Sequence, residues 1–177
     1  MALWRSHGVE LHPVAINFSS KQIKDKGYVR YLKNLLDEHH ISAELIEIEI
    51  TESIFINNNE KAMKLFDDFL SIGVRLALDD FGTGYSSINY LTYIPVTKIK
   101  IDKSFVDIFL IDGKDAFIEN VIRLAHCLGL KIAVEGVEEK WQHDRLKEFD
   151  CDFIQGYYFS KPISGEEIEQ LKDFSTT

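Results

Sequence analysis

The sequence predicts an α/β fold built on a parallel sheet, and three observations lead there. Short β-branched runs alternate with stretches of helical spacing about six times along the 177 residues, the pattern of parallel strands joined by crossover helices. Glycines stand directly after two of the helical stretches, where C-terminal caps belong. Each strand-like run also closes on a polar side chain, and in parallel α/β folds the C-terminal strand ends form the functional mouth. An open doubly wound sheet and a barrel both satisfy this alternation.

The elements follow in order. "MALWRSHG" (1–8) reads as the last turns of an amphipathic helix capped by Gly8. "VAINFS" (14–19) is the first strand, and Tyr28, Tyr31, Leu32, Leu35 and Leu36 form the apolar stripe of a helix after it. "LIEIEI" (45–50) is the second strand; Ala62, Leu65, Phe66, Phe69 and Leu70 mark the next helix, which stops at Gly73. "VRLALDD" (74–80) and "TKIKID" (97–102) are the third and fourth strands. The stripe Ile118, Val121, Ile122, Ala125 and Leu128, ending at Gly129, leads to the fifth, "KIAVE" (131–135), and "DFIQG" (152–156) is the sixth. "SGEEIEQLKDF" reads as a closing helix with Ser164 as its N-cap. With no internal repeat, low-complexity tract or long linker, residues 1–177 form a single domain. A (β/α)8 barrel typically needs ~250 residues, so this chain is short of one by roughly two βα units of ~30 residues each.

Composition narrows the function classes. Hydrophobic residues make up 45% and there are three prolines, which excludes a disordered chain. A net charge of −9 argues against DNA and anionic membrane as partners, while a small phosphate ligand remains accessible if divalent cations stand between it and the acids. The absence of an 18-residue apolar run and of a signal peptide points to a cytoplasmic protein, or a soluble piece of a larger one. Cys127 and Cys151 fit no metal or redox spacing and are expected to be buried free thiols.

The strand ends carry the chemistry. Asn17, Glu49, the adjacent Asp79 and Asp80, Lys100, Glu135 and Gln155 fall at or near the ends of the six strands in turn. Any one of them alone is more simply a helix cap, a solvated loop residue or, for Lys100, a partner of Asp102 or Glu135. Their recurrence on one rim is what makes them a constellation. Asn, Asp and Glu oxygens suit magnesium, manganese or calcium, and neither His nor Cys belongs to the set. Two adjacent aspartates can address two ions, or one ion and a bound water. A pair of ions ~3.5–4 Å apart is the usual arrangement for displacement at a phosphodiester, with Lys100 placed to orient the nucleophile or neutralise developing charge.

These residues sit in segments that resemble the EAL domain family of cyclic di-GMP phosphodiesterases. The resemblance is carried by "INFSS" (16–20), "EIEITES" (47–53), "LALDDFGTGYSS" (76–87), "IPVTKIKIDKSFV" (94–106), "AVEGVEE" (133–139) and "QGYYFSKPI" (155–163). It implies a TIM-like (β/α)8 barrel of EAL type with one antiparallel strand, and metal-dependent hydrolysis of cyclic di-GMP to pGpG using two Mg2+ or Mn2+ ions. Carried over residue by residue, it makes Asn17, Glu49, Asp79, Asp80 and Glu135 metal ligands. Lys100 contacts the catalytic water, Glu135 also serves catalysis, and Gln155 lies at the water and phosphate position. Glu52 anchors the loop 82–87, and Glu138 is a second structural acid. Phe159 and Pro162 lie near a guanine base, with core packing an equal alternative for Phe159. The resemblance further implies a homodimer through loop 82–87 and "SFVDIF" (104–109), and sensor or GGDEF domains in a longer parent protein.

The family's Glu-Ala-Leu motif does not occur here, and Thr97 and Val134 replace residues usual in the family. On this reading the barrel is incomplete because the first strands are missing, and the chain alone is expected to be inactive. The alternatives are a non-hydrolytic cyclic di-GMP receptor and a protein-interaction domain.

Overall fold

Among the described residues six strands lie side by side in the order of the sequence, every neighbouring pair parallel. The structure is a computed structural model that describes residues 1–19, 21–24, 27–82, 91–110 and 113–170, for residues 55–59 the backbone only. The strands are β1 (Val14–Phe18), β2 (Ile46–Thr51), β3 (Arg75–Phe81), β4 (Lys98–Ile101), β5 (Lys131–Val134) and β6 (Phe153–Ile154). The helices are α1 (Ala2–Ser6), α2 (Tyr28–Glu38), α3 (Ser53–Ser71), α4 (Lys103–Phe105), α5 (Ala116–Cys127), α6 (Lys140–Glu148) and α7 (Gly165–Gln170), with a π-helical turn at Val106–Leu110 directly after α4. Among the described residues β1 and β6 are the two edges, so the sheet is an open, curled part of a barrel, and the antiparallel strand of the family fold is not among them.

One face of this sheet is apolar. Ile48, Ile50, Leu76, Leu78, Ile99, Ile101, Ile132 and Val134 are fully enclosed together with Phe66 and Phe69 of α3 and Ile118 and Ile122 of α5. The helical stripes supply the cover, as their spacing requires. Two stripe members fall outside it: Tyr31 on α2 is 62% exposed, and Leu70 lies at the solvent edge. Gly73 and Gly129 do take left-handed φ values after α3 and α5, the conformation a C-terminal cap needs. Ser164 and Glu167 form reciprocal side-chain to backbone bonds at the start of α7; the rest of that expected helix lies outside the described residues.

Two expectations need correction, and one helix lies where none was expected. Cys127 is exposed, not buried, and Cys151 is only partly enclosed, its thiol donating to the Phe153 carbonyl; burial pushes that thiol up to about 12. The sixth strand is shorter than "DFIQG", because Gln155 already leaves the ladder to accept a bond from Val137 N. Helix α6 has no long apolar stripe and was not anticipated. The pair Glu139 and Gln142, which forms a capping box at its start, is the signal that marks it.

Candidate functional site

The other face of the sheet is charged. In β2 the sequence alternates Ile46, Glu47, Ile48, Glu49, Ile50, and in β4 it alternates Lys98, Ile99, Lys100, Ile101. With a side-chain period of two, the isoleucines enter the helix-covered core and the four charges stand on the opposite face. That face is concave: Lys98 of β4 reaches both Glu47 of β2 and the ring of Phe153 on β6.

Lys100 is the hub. Its ammonium lies 2.6 Å from Glu49 Oε1, 2.6 Å from Glu135 Oε1 and 3.2 Å from Asp79 Oδ1. Lys100 and Glu49 are each 7% exposed. Burial alone would lower the ammonium's pKa, but its bonds to Glu135 and Glu49 and the charges of Glu49 and Asp79 outweigh that and hold it raised. Glu49 is shifted the other way from a typical ion-paired acid. Burial, aided by Asp79 and Glu135, keeps its carboxyl above the usual range despite Lys100. One cation is shared among three acids, and the most buried of them remains short of positive charge.

Two adjacent aspartates reach one rim because β3 is bulged. Leu78 is level with Ile99 and Phe81 with Ile101, so β3 carries one residue more than β4 over this stretch. The extra residue is absorbed at Asp80, whose φ is +56°, a left-handed conformation that non-glycine residues adopt at a cost. Asp79 keeps its place on the concave face, and Phe81 returns to the core with its ring enclosed. Burial, then the charges of Asp79, Asp102 and Glu135, raise the Asp80 carboxyl.

The remaining predicted residues distribute around this centre. Asn17 stands level with Glu49 on the neighbouring strand and is exposed. Gln155 follows β6 beside Glu135, its backbone N–H donating to Val134. Glu52 accepts a bond from Gly82 N at 2.9 Å; of the loop 82–87 that it was expected to anchor, residues 83–87 lie outside the described residues. Glu138 pairs with Lys103. Phe159 is 53% exposed and packs edge-on against Tyr158 and His143, which removes the core-packing alternative for it. Pro162 is exposed as well. Sequence reasoning passed over Glu47 and Lys98, the second charged layer beneath Glu49 and Lys100, although the alternation of "EIEI" and "KIKI" carries them.

Asn17, Glu49, Asp79, Asp80 and Glu135 offer oxygen donors only, the set suited to a hard divalent cation. Among the described residues no three His, Cys, Asp or Glu side chains are drawn together so as to hold a metal, since the acids converge on the Lys100 ammonium instead. The fit is therefore chemical: a buried carboxylate with raised proton affinity, flanked by further acids, is stabilised by added positive charge.

A family model described as "EAL domain" matches residues 1–162. The chain is 38% identical over 170 residues to the signaling protein YkoW of Bacillus subtilis, covering 96% of this chain and 21% of YkoW. Among solved structures, the phosphodiesterase PaMucR (MucR of Pseudomonas aeruginosa) in its c-di-GMP complex superposes with a TM-score of 0.85 at 31% identity, over 95% of this chain and 68% of that one. BlrP1 of Klebsiella pneumoniae, a manganese/cy-diGMP complex, gives a TM-score of 0.81 at 30% identity, over 91% of this chain and 42% of that one. The chain spans between 19% and 26% of the lengths of the first curated relatives it matches. Among the described residues no helix is long and apolar enough to cross a membrane.

Proposed function

The chain belongs to the EAL domain family, and from that membership we propose that its site hydrolyses cyclic di-GMP to linear pGpG with the help of divalent cations. The observation that carries this reading is the Lys100 ammonium held by Glu49, Asp79 and Glu135 on a rim that also presents Asp80.

In this reading Asn17, Glu49, Asp79, Asp80 and Glu135 hold two ions, magnesium or manganese. A bound divalent cation polarises the phosphoryl oxygens and acidifies water. Lys100, kept protonated by its three acids, donates a hydrogen bond to the attacking water rather than serving as a base. Glu135 and Gln155, on adjacent strand ends, orient that water. The water oxygen forms a new bond to phosphorus as a rim carboxylate takes its proton, and one P–O3′ bond breaks, the same proton passing from the carboxylate to the departing 3′ oxygen. Phe159 and Pro162, both exposed beyond β6, contribute surface for a guanine base. Glu52, through Gly82, and Glu138, through Lys103, hold the loops on either side. We also assign a homodimer to the face that includes 104–109, where Ile108 and Phe117 are exposed.

The test is to incubate the purified chain with manganese and cyclic di-GMP and to chromatograph the products. Release of pGpG supports the reading. Saturable binding of the dinucleotide without pGpG, while manganese is bound, agrees with the expectation that the chain alone is inactive; a receptor function replaces hydrolysis if a version carrying a family Glu-Ala-Leu segment also releases none.

A further inference from the structure

Beneath Glu49 and Lys100 lies a second ion pair on the same two strands. Lys98 Nζ is 2.8 Å from Glu47 Oε1, with side-chain exposures of 19% and 9%. The pair spans β3, where the intervening concave-face residue is Ala77, level with both Glu49 and Lys98. On its other side Lys98 reaches across β5 past Ala133, which is level with Phe153, to sit 4.4 Å from the centre of the Phe153 ring, while Lys131, the β5 residue level with Lys98, pairs with Asp152. Two alanines thus leave room for one lysine to bridge five strands' width of the sheet. The ring face, with its negative quadrupole, gives the ammonium a second favourable contact.

This arrangement settles a competition. The enclosed part of the concave face brings Lys98 and Lys100 together with Glu47, Glu49, Asp79 and Glu135, while Arg75, level with Glu47, and Lys131, level with Lys98, lie exposed at the starts of their strands. Glu47 and Glu49 lie two residues apart on one face of one strand, about 6.6 Å along it, where burial leaves their repulsion weakly screened. Without Lys98, the cations left to Glu47 on this face are Arg75, level with it on β3 but exposed at the start of the strand, and the buried Lys100; a carboxylate enclosed as Glu47 is would draw on the buried one.

We propose that Lys98 is a positioning residue: by neutralising Glu47 it reserves the Lys100 ammonium for Glu49, Asp79 and Glu135, and so sets the charge and geometry of the rim above. The proposal deepens the phosphodiesterase reading and rests on it for its functional meaning, but the placement of Lys100 can be tested without turnover.

The test uses the full 177-residue chain and three versions: wild type, Lys98→Met, and the double substitution Glu47→Gln with Lys98→Met. Methionine keeps an apolar stem against Phe153 and removes the charge. The lysine ammonium resonances are recorded by NMR without metal, and manganese affinity is measured by titration calorimetry. Lys98→Met is expected to move the Lys100 ammonium resonance and to weaken manganese binding about 10-fold, the loss usual for an outer-shell partner. The double variant, which removes both charges together, is expected to restore both readouts to near wild type. A mere packing defect would persist in the double variant, so failure of that rescue overturns the proposal, as does an unmoved Lys100 resonance in Lys98→Met. If Lys98→Met does not fold, the double variant is still expected to fold and to show the wild-type Lys100 resonance, and its failure to do so is equally fatal. If the wild-type chain binds no manganese, the phosphodiesterase reading fails, while the metal-free resonances still decide the role of Lys98.

Discussion

The Lys100 ammonium stands 2.6 Å from a carboxylate oxygen of Glu49, and both side chains are more than nine-tenths enclosed. A buried pair of this kind is strongly destabilised by removing one partner, because the other charge is left uncompensated. Lys100→Met is therefore expected to lower unfolding stability by about 3 kcal/mol in metal-free buffer. Urea denaturation measures it, and a loss below about 1 kcal/mol, the range of an exposed pair, would show that Lys100 is not the hub of the rim.

Manganese should stabilise the folded chain, since ions that bind the native state shift unfolding by mass action. At about 100 times the dissociation constant the gain is about 2.7 kcal/mol, which for a chain of this size raises the melting temperature by about 5–10 °C. Asp79→Asn should abolish most of that rise. Calorimetric melting with and without manganese reads both effects, and an unchanged wild-type melting curve contradicts the metal assignment.

Where pGpG release is measurable, Lys100→Ala should lower kcat far more than it raises KM, because its proposed contact is with the reacting water. A near-normal kcat with a raised KM would reassign Lys100 to holding the phosphate of the ground state.

Gly82 combines a φ of +91° with a position where an added Cβ would meet the Phe105 ring at 2.2 Å. Gly82→Ala should destabilise the fold by at least about 1–3 kcal/mol, since the ring must move and the backbone is strained as well. The same change displaces the N–H that Glu52 accepts. Urea unfolding at wild-type stability would mean that this corner yields freely.

At the opposite end of the strands, Asp152 accepts from His126 Nε2, Lys131 Nζ and the Ile132 N–H. Burial would raise its carboxyl, but the bonds from Lys131, His126 and Ile132 outweigh this and hold it below the ordinary 3.8. A carboxyl depressed in the folded state contributes stability that is complete above the unfolded value and lost as pH falls through the folded one. The stability gap between wild type and Asp152→Asn should therefore be constant above about pH 5 and close below about pH 4. Urea midpoints taken between pH 7 and the acid transition, at about pH 2–3, follow it; a gap that widens on acidification reverses the sign argued here.

Much of this protein is legible from residue order. The alternation of β-branched runs with helical stripes is a local signal, because periods of two and of 3.6 are properties of backbone geometry. It located the six strands among the described residues, and the glycines at 73 and 129 marked two helix ends by conformation alone. Placing the polar residues on one rim followed from strand direction, since parallel strands bring their C-terminal ends to one side. Helix α6 escaped because its stability comes from a few buried contacts such as Leu146 rather than from a long stripe.

Which charges meet was decided by the tertiary structure. Lys100 had Asp102 and Glu135 as candidates in the sequence, yet it joins Glu49 and Asp79 as well as Glu135, while Asp102 turns to cap α4 through Ser104 N. Glu47 and Lys98 are 51 positions apart and look like ordinary strand charges until curvature carries them across Ala77. The pairing of Asp79 with Asp80 on one rim depends on a bulge that adds a residue to β3, a choice made by register with β4 rather than by the aspartates themselves. The physical reason is range. Periodicity and capping act within a few residues, whereas ion pairing depends on sheet curvature, shear and the volume of the side chains in between, all of them set by strands distant in the chain.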